Sequence, residues 1–224
     1  MSDFCRSSLC EVLPELSDKA LTIYNCLSID AIRHKAIDGA SLDSKFTNKH
    51  CFKIVSVGRF DPVKQFEKIP DIIREIKEYR DKDFCWFIIG GQRGFASLEE
   101  EVLNKIEAYK QHNNLVLLPE TNDIYNYISQ SDLLVHTSKS ETFSRVVNEA
   151  KALGVPVVIN NYGCAHEFVR DKIDGYIVPI EEMASMIGGL IDDPSRLGEI
   201  KSSLKKMDYP NSAIVNSIMN IINK

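Results

Sequence analysis

Five short apolar runs constrain the architecture more than any other feature: CFKIVSVG at 51–58, FCWFIIG at 84–90, LVLLP at 115–119, DLLVH at 132–136 and VPVVI at 155–159. Near-continuous Val, Ile and Leu over so few residues reads as a strand buried on both faces. The amphipathic stretches Lys64–Tyr79, Leu98–His112, Ile124–Ser129 and Phe143–Leu153 lie between and after them and predict helices. Strand and helix in alternation mean βαβ units and a parallel sheet, so a doubly wound, Rossmann-like α/β domain is expected over 51–224. A helix over Glu181–Ile191, a break at Asp192-Asp193-Pro194 and a further helical pair close the chain. Sheets of this kind bind ligands outside the carboxyl ends of their strands. That directs attention to the loops 58–63, 90–96, 119–122, 137–142 and 160–165.

Ahead of the domain, the chain predicts a helix at Phe4–Leu13, a strand at Ala20–Tyr24 and a helix at Ser28–Lys35. The polar, turn-rich stretch IDGASLDSKFTNKH follows, and 38–50 reads as a linker.

A formal charge of −5 argues against bulk electrostatic binding of nucleic acid or acidic lipid, so an anionic ligand would need locally placed cations. The six cysteines form no CxxC pair, and reduced thiols in a cytoplasmic protein are the simplest expectation. Cys85, inside an apolar run, is expected to act as a small hydrophobe. No apolar stretch approaches the roughly 20 residues a bilayer demands.

Three of the loops carry chemistry. In Gly58-Arg59-Phe60-Asp61-Pro62-Val63-Lys64 a planar guanidinium and a point charge of different reach could share a diphosphate, or simply be solvated cations. Gly90-Gly91-Gln92-Arg93-Gly94 lacks both G-x-G-x-x-G spacing and a Walker lysine. Its glycines serve either a tight turn or close approach to a ligand. That missing fingerprint, and the missing acidic residue beyond it, also disfavour a dinucleotide-dependent oxidoreductase. In the third loop, Glu141 is expected before a helix and Glu149 two turns inside it. Eight residues at helical rise separate them by roughly 12 Å. Glycosidase carboxylates stand about 5 to 9.5 Å apart. The spacing suits two hydroxyl-bearing ends of one extended ligand, with the free N–H groups near Phe143–Arg145 facing an anion between them. A capping-region Glu141 and a surface Glu149 are the plainer alternative.

The block SETFSRVVNEAKALGVPVV resembles the E-x7-E signature of the family 4 retaining glycosyltransferases, usually E-x-F-G-x-x-x-x-E-A-x-A-x-G-x-P-V-V. VGRFDPVKQF is similar to that family's G-R-x-x-x-x-K-G loop, and FIIGGQRG, LLPETNDIYNYISQSDLLVHTS and CAHEFVRDKIDGYIVP follow in its order. TIYNCLSIDAIRHKA is similar to the segment joining the family's two domains. The resemblance implies the C-terminal, donor-binding domain of a GT-B enzyme, with 1–37 the tail end of the other domain. It implies that Arg59 and Lys64 hold a donor diphosphate and that Glu141 faces the donor sugar. Glu149 would bind the ribose, Gly58 and Gly91 would line the donor site, and Thr142, Phe143 and Ser144 would present backbone beside it. Arg59, Lys64 and Glu141 are the expected catalytic set.

The same resemblance implies a nucleoside-diphosphate sugar as substrate, no cofactor and no bound metal. It further implies a glycan or lipid-linked acceptor held by an N-terminal domain outside these residues, polysaccharide-type assembly, and a cytoplasmic location with peripheral membrane contact left open. An isolated 224-residue chain is expected to bind a nucleotide and to transfer sugar poorly or not at all. A sugar-nucleotide 2-epimerase of the same architecture and a non-catalytic nucleotide-binding module are the rivals. Thr142 and Ser144 stand where glycine or another small residue is common, and Gln65 replaces the usual glycine after the lysine. His136 is expected at the core edge, and Glu167 in a structural role.

Overall fold

The computed structural model describes residues 2–37, 39, 42, 51–91 and 94–222. Six parallel strands form one sheet: β1 (Phe52–Val57), β2 (Phe84–Ile89), β3 (Leu115–Leu118), β4 (Leu133–His136), β5 (Val157–Asn160) and β6 (Tyr176–Val178), in spatial order β3-β2-β1-β4-β5-β6. Strand order reverses between β1 and β4. The crevice of a doubly wound sheet therefore opens above these two strands.

Alternate side chains of each strand enter two separate core layers. Ile54, Trp86 and Ile88 point to one face, where α3 (Ile69–Tyr79), α4 (Ala96–Tyr109), α8 (Met183–Asp192) and α9 (Gly198–Lys205) cover them. Val55, Phe87 and Ile89 point to the other, against α5 (Ile124–Ser129), α6 (Arg145–Ala152) and α7 (Ala165–Phe168). In α3 the spacing of Ile69, Ile72, Ile73 and Ile76 makes one apolar stripe, and all four are buried. A polar relay crosses the first layer without exposing itself. Trp86 Nε1 donates to Ser56 Oγ at 3.0 Å, and Ser56 Oγ donates to the Val135 carbonyl at 2.7 Å. These bonds satisfy two buried donors that would otherwise destabilise the core.

Before the sheet come α1 (Asp3–Val12) and α2 (Ile29–Lys35), close to their expected positions. The expected strand at Ala20–Tyr24 does not form; the segment has no regular secondary structure and lies outside the sheet. An apolar-rich pattern alone is not enough when no strand edge receives it. Expected helix starts also shift. Gln65 adopts the left-handed conformation (φ 54°) and a 3-10 turn at Phe66–Lys68 intervenes, so α3 begins at Ile69 rather than Lys64. The expected break at Asp192-Asp193-Pro194 is present: Asp193 caps a 3-10 turn through the Ser195 N–H. The helical pair beyond it is α9 and α10 (Asn211–Ile222). Most of the linker read at 38–50 lies outside the described residues.

The cysteines need correction. Cys51 and Cys85 form a disulfide, while Cys5, Cys10, Cys26 and Cys164 are free. Parallel pairing of β1 and β2 brings the two residues into one core layer with Cα atoms 6.2 Å apart. That is inside the range a disulfide spans. The 33 residues between them hide this proximity from any spacing rule.

Candidate functional site

The loops after β1 and β4 meet at the reversal point and are tied together by backbone. Phe60 is buried, 5.5 Å edge-to-face from Phe66, and anchors the first loop. Asp61 braces it by accepting from the Val63 N–H at 2.7 Å. The second loop is bonded to it twice: Lys139 N–H donates to the Val63 carbonyl at 2.9 Å, and Thr137 Oγ1 donates to the Lys64 carbonyl at 2.6 Å. Lys64 is thus fixed at its main chain by a residue 73 positions away. Sequence spacing gives no sign of Thr137.

Lys64 and Glu141 come together. Lys64 Nζ lies 2.6 Å from Glu141 Oε1, with both side chains largely withdrawn from water. The same carboxylate oxygen lies 2.9 Å from His136 Nε2. Cys164 Sγ–H donates to the Glu141 carbonyl at 3.0 Å and fixes the backbone beneath it. Burial pushes the Glu141 carboxyl up, but the hydrogen bond and charge of His136 and then the Lys64 ammonium outweigh it and hold the group at about 2. Burial acts the other way on His136 and pushes its imidazole below the usual value. His136 sits at the end of β4 and is 1% exposed, as its position after an apolar run predicted.

Arg59 does not share this enclosure. Its side chain is 59% exposed and pairs loosely with Asp61 at 3.7 Å. With Gly58 and Gly91 it lines a cavity of about 190 Å³ over the tips of β1 and β2, closed by Glu120 and Thr121. Gly90 is required there for close packing: a Cβ would stand 1.6 Å from the Gly58 carbonyl oxygen. Gln92 and Arg93 of the same loop lie outside the described residues.

Helix α6 begins at Arg145, two residues later than the expected start at Phe143. Glu149 is therefore only a little over one turn inside it, and four non-helical residues from Glu141 onward precede the helix. A straight-helix separation does not apply. Glu149 is buried, accepting from Tyr125 OH at 3.2 Å and pairing with Arg145 at 3.3 Å. It lines a cavity of about 540 Å³ with Phe143 and the Asn25–Ser28 segment. Thr142 is exposed at the loop tip, Phe143 packs its ring 5.1 Å from Phe168, and Ser144 is the buried residue preceding α6. The expected residues thus fall into three adjoining groups: Lys64 with Glu141, Gly58 and Arg59 with Gly91, and Phe143 with Glu149. They do not line one continuous cavity.

Glu167 is structural in its contacts. Its carboxylate accepts the N–H groups of Asp3 and Phe4, both at 2.8 Å, and the Tyr24 hydroxyl at 2.7 Å. Together with Ser2 Oγ, which accepts from the Cys5 N–H, it satisfies the first turn of α1. A cavity of about 1030 Å³ lies beside it, between α6, α7 and α9, away from Lys64 and Glu141. The buried Lys151–Asp174 pair, 3.2 Å apart, lines that cavity and was not foreseen.

Known proteins share this fold and part of this sequence. The model of the family described as "Glycosyl transferases group 1" matches residues 41–206. An N-acetylgalactosamine-N,N'-diacetylbacillosaminyl-diphospho-undecaprenol 4-alpha-N-acetylgalactosaminyltransferase of Campylobacter jejuni is 28% identical over 174 residues, 77% of this chain and 43% of that protein. Among solved structures, a glycosyltransferase of Rickettsia africae superposes with a TM-score of 0.82 at 19% identity, over 98% of this chain and 61% of the other. Anabaena Alr3699/HepE in complex with UDP-glucose superposes with a TM-score of 0.73 at 23% identity, over 88% and 57%. The chain spans just under half the length of the first curated relatives it matches. At these identities the structures speak for the fold, which is that of one half of a GT-B glycosyltransferase, and the family match over most of the chain speaks for descent. This chain belongs to the group 1 glycosyl transferases.

Proposed function

We propose that the chain is the donor-binding half of a retaining glycosyltransferase, taking a nucleoside-diphosphate sugar for transfer to an acceptor hydroxyl. The observation that carries this reading is the partly buried contact of Lys64 with Glu141 at the strand reversal, beside the start of α6. A cation and a carboxylate fixed there match the demands of a sugar diphosphate: the ammonium takes anionic oxygens and the carboxylate accepts sugar hydroxyls. Lys64 and Arg59 hold the diphosphate and stabilise its charge as it leaves. The backbone of Thr142, Phe143 and Ser144, with the free N–H groups opening α6, lies beside it. Glu141 accepts from the sugar and Glu149 from the ribose, while Gly58 and Gly91 leave room along the strand tips. Since the side chains act by positioning and charge, neither a cofactor nor a metal is invoked. The complex of a similar fold with UDP-glucose supports a sugar nucleotide as ligand.

The chain covers just under half of its curated relatives, and we assign residues 1–37 to the junction with the part it does not cover. Acceptor choice, glycan or lipid-linked, then belongs to that other part, and the 224-residue chain on its own turns over poorly or not at all. Calorimetric titration with UDP, GDP and ADP tests the reading. Saturable binding of one of them, weakened in Lys64→Ala, is expected; no binding to any supports a non-catalytic module instead.

A further inference from the structure

The carboxylate of Glu141 has a second partner besides Lys64. His136 Nε2 lies 2.9 Å from Glu141 Oε1 and 3.2 Å from Ser144 Oγ. An ionised carboxylate only accepts hydrogen bonds, so a proton must reside on Nε2. The ring is held where it is. His136 ends β4 in register with Ile159 of β5, and Tyr162 packs against it edge-to-face at 6.1 Å. No flexible stem lies between this N–H and the sheet.

Lys64, by contrast, reaches the same oxygen through a long side chain. On the reading above, an arriving diphosphate draws the ammonium towards itself. Glu141 is then a mostly buried carboxylate with a shared cation, an arrangement that favours protonation or a swing towards water. Either would remove the acceptor that faces the sugar.

We infer that His136 is a positioning residue for donor recognition: its Nε2–H keeps Glu141 Oε1 aimed into the crevice when Lys64 turns to the diphosphate. It touches no substrate itself. The inference rests on the proposed donor site, and it predicts that His136 matters for the sugar and not for the nucleotide.

The test titrates the full chain, His136→Leu and His136→Gln with UDP, GDP and ADP, and with the glucose conjugate of whichever binds. Loss of one charge-assisted hydrogen bond should weaken the sugar nucleotide about tenfold or more in His136→Leu, with the bare nucleotide changed less than about threefold. Gln places a donor nitrogen near the Nε2 position, so His136→Gln should restore most of that loss. Equal weakening of both ligands, or none, overturns the inference while leaving the donor site standing; a wild-type chain that binds no nucleotide overturns both. Should His136→Leu fail to fold, the tautomer decides. Long-range 15N–1H spectra of the wild-type chain, assigned with His136→Gln, should show a proton on Nε2, and a ring protonated on Nδ1 alone contradicts the inference.

Discussion

Lys64 Nζ and Glu141 Oε1 stand 2.6 Å apart although the two residues are 77 positions apart in the chain. The contact joins the loop after β1 to the loop after β4, the two central strands flanking the reversal in the sheet. Each partner is withdrawn from water, so the pair is screened far less than a surface ion pair. The other cation of the same loop, Arg59, is exposed and pairs only loosely with Asp61 at 3.7 Å.

Removing the cation should therefore act on the ligand. In this chain Lys64→Ala should weaken nucleoside-diphosphate binding about ten- to hundredfold, the range for losing a charge-assisted hydrogen bond. In an enzyme with both halves it should slow the chemical step by roughly 10² to 10³ if the ammonium acts like an oxyanion-hole donor. Calorimetry and turnover under saturating donor check the two statements. Unchanged turnover refutes the catalytic assignment of Lys64.

Acid should dismantle the cluster in two stages. The Glu141 carboxyl is held at about 2, below its ordinary 4.5. A depressed carboxyl contributes stability that is complete above about pH 4.5 and lost as pH falls towards 2. The difference in unfolding free energy between wild type and Glu141→Gln should accordingly be flat above pH 5 and shrink below 4.5. His136 is depressed by burial from its ordinary 6.5, so the unfolded chain takes up this proton first and stability falls below that pH. His136→Gln should flatten the loss between pH 6.5 and 5. Urea unfolding across pH 3 to 8 measures both, and a constant difference between wild type and Glu141→Gln down to pH 3 contradicts the buried pairing.

Gln65 carries a left-handed backbone immediately after Lys64, at φ 54° and ψ 36°. A side chain there is strained, and the family pattern usually has glycine. Gln65→Gly should raise stability by about 0.5–1 kcal/mol, the relief of backbone strain outweighing the greater freedom of glycine in the unfolded chain. Thermal unfolding checks it; a lower melting temperature means that the Gln65 side chain contributes more than its backbone costs.

Cys51 and Cys85 are bonded and the other four cysteines are free. Alkylation of the denatured chain without reductant should add four groups, and after reduction six. Mass spectrometry counts them. Six without reductant means that the two strands are held by packing alone.

Much of the fold was legible because it is written in local pattern. FCWFII is buried throughout, as a strand covered on both faces requires, and the isoleucines of α3 repeat at helical spacing. The Ala20–Tyr24 strand failed for the complementary reason: its residues suit a strand, but pairing is decided by what lies alongside. Of the candidate site, Lys64 and Glu141 were named from their loops and found in contact. His136 and Thr137 were not named for the site. Their roles arise only when β4 is laid against β1, and no spacing rule encodes that. The late start of α6 has a local cause that composition conceals. Phe143 packs on Phe168 and Ser144 Oγ approaches His136, and these contacts hold the two residues outside the helix.

The central claim concerns where a nucleotide sits. A crystal structure of the chain bound to whichever of UDP, GDP and ADP titrates most tightly tests it directly. The account predicts the diphosphate between Lys64 Nζ and the backbone N–H groups of residues 143–145, with the ribose hydroxyls at Glu149 and the Lys64–Glu141 contact lengthened. A nucleotide seated elsewhere, with Lys64 still closed on Glu141 and both carboxylates turned from the strand tips, would contradict it.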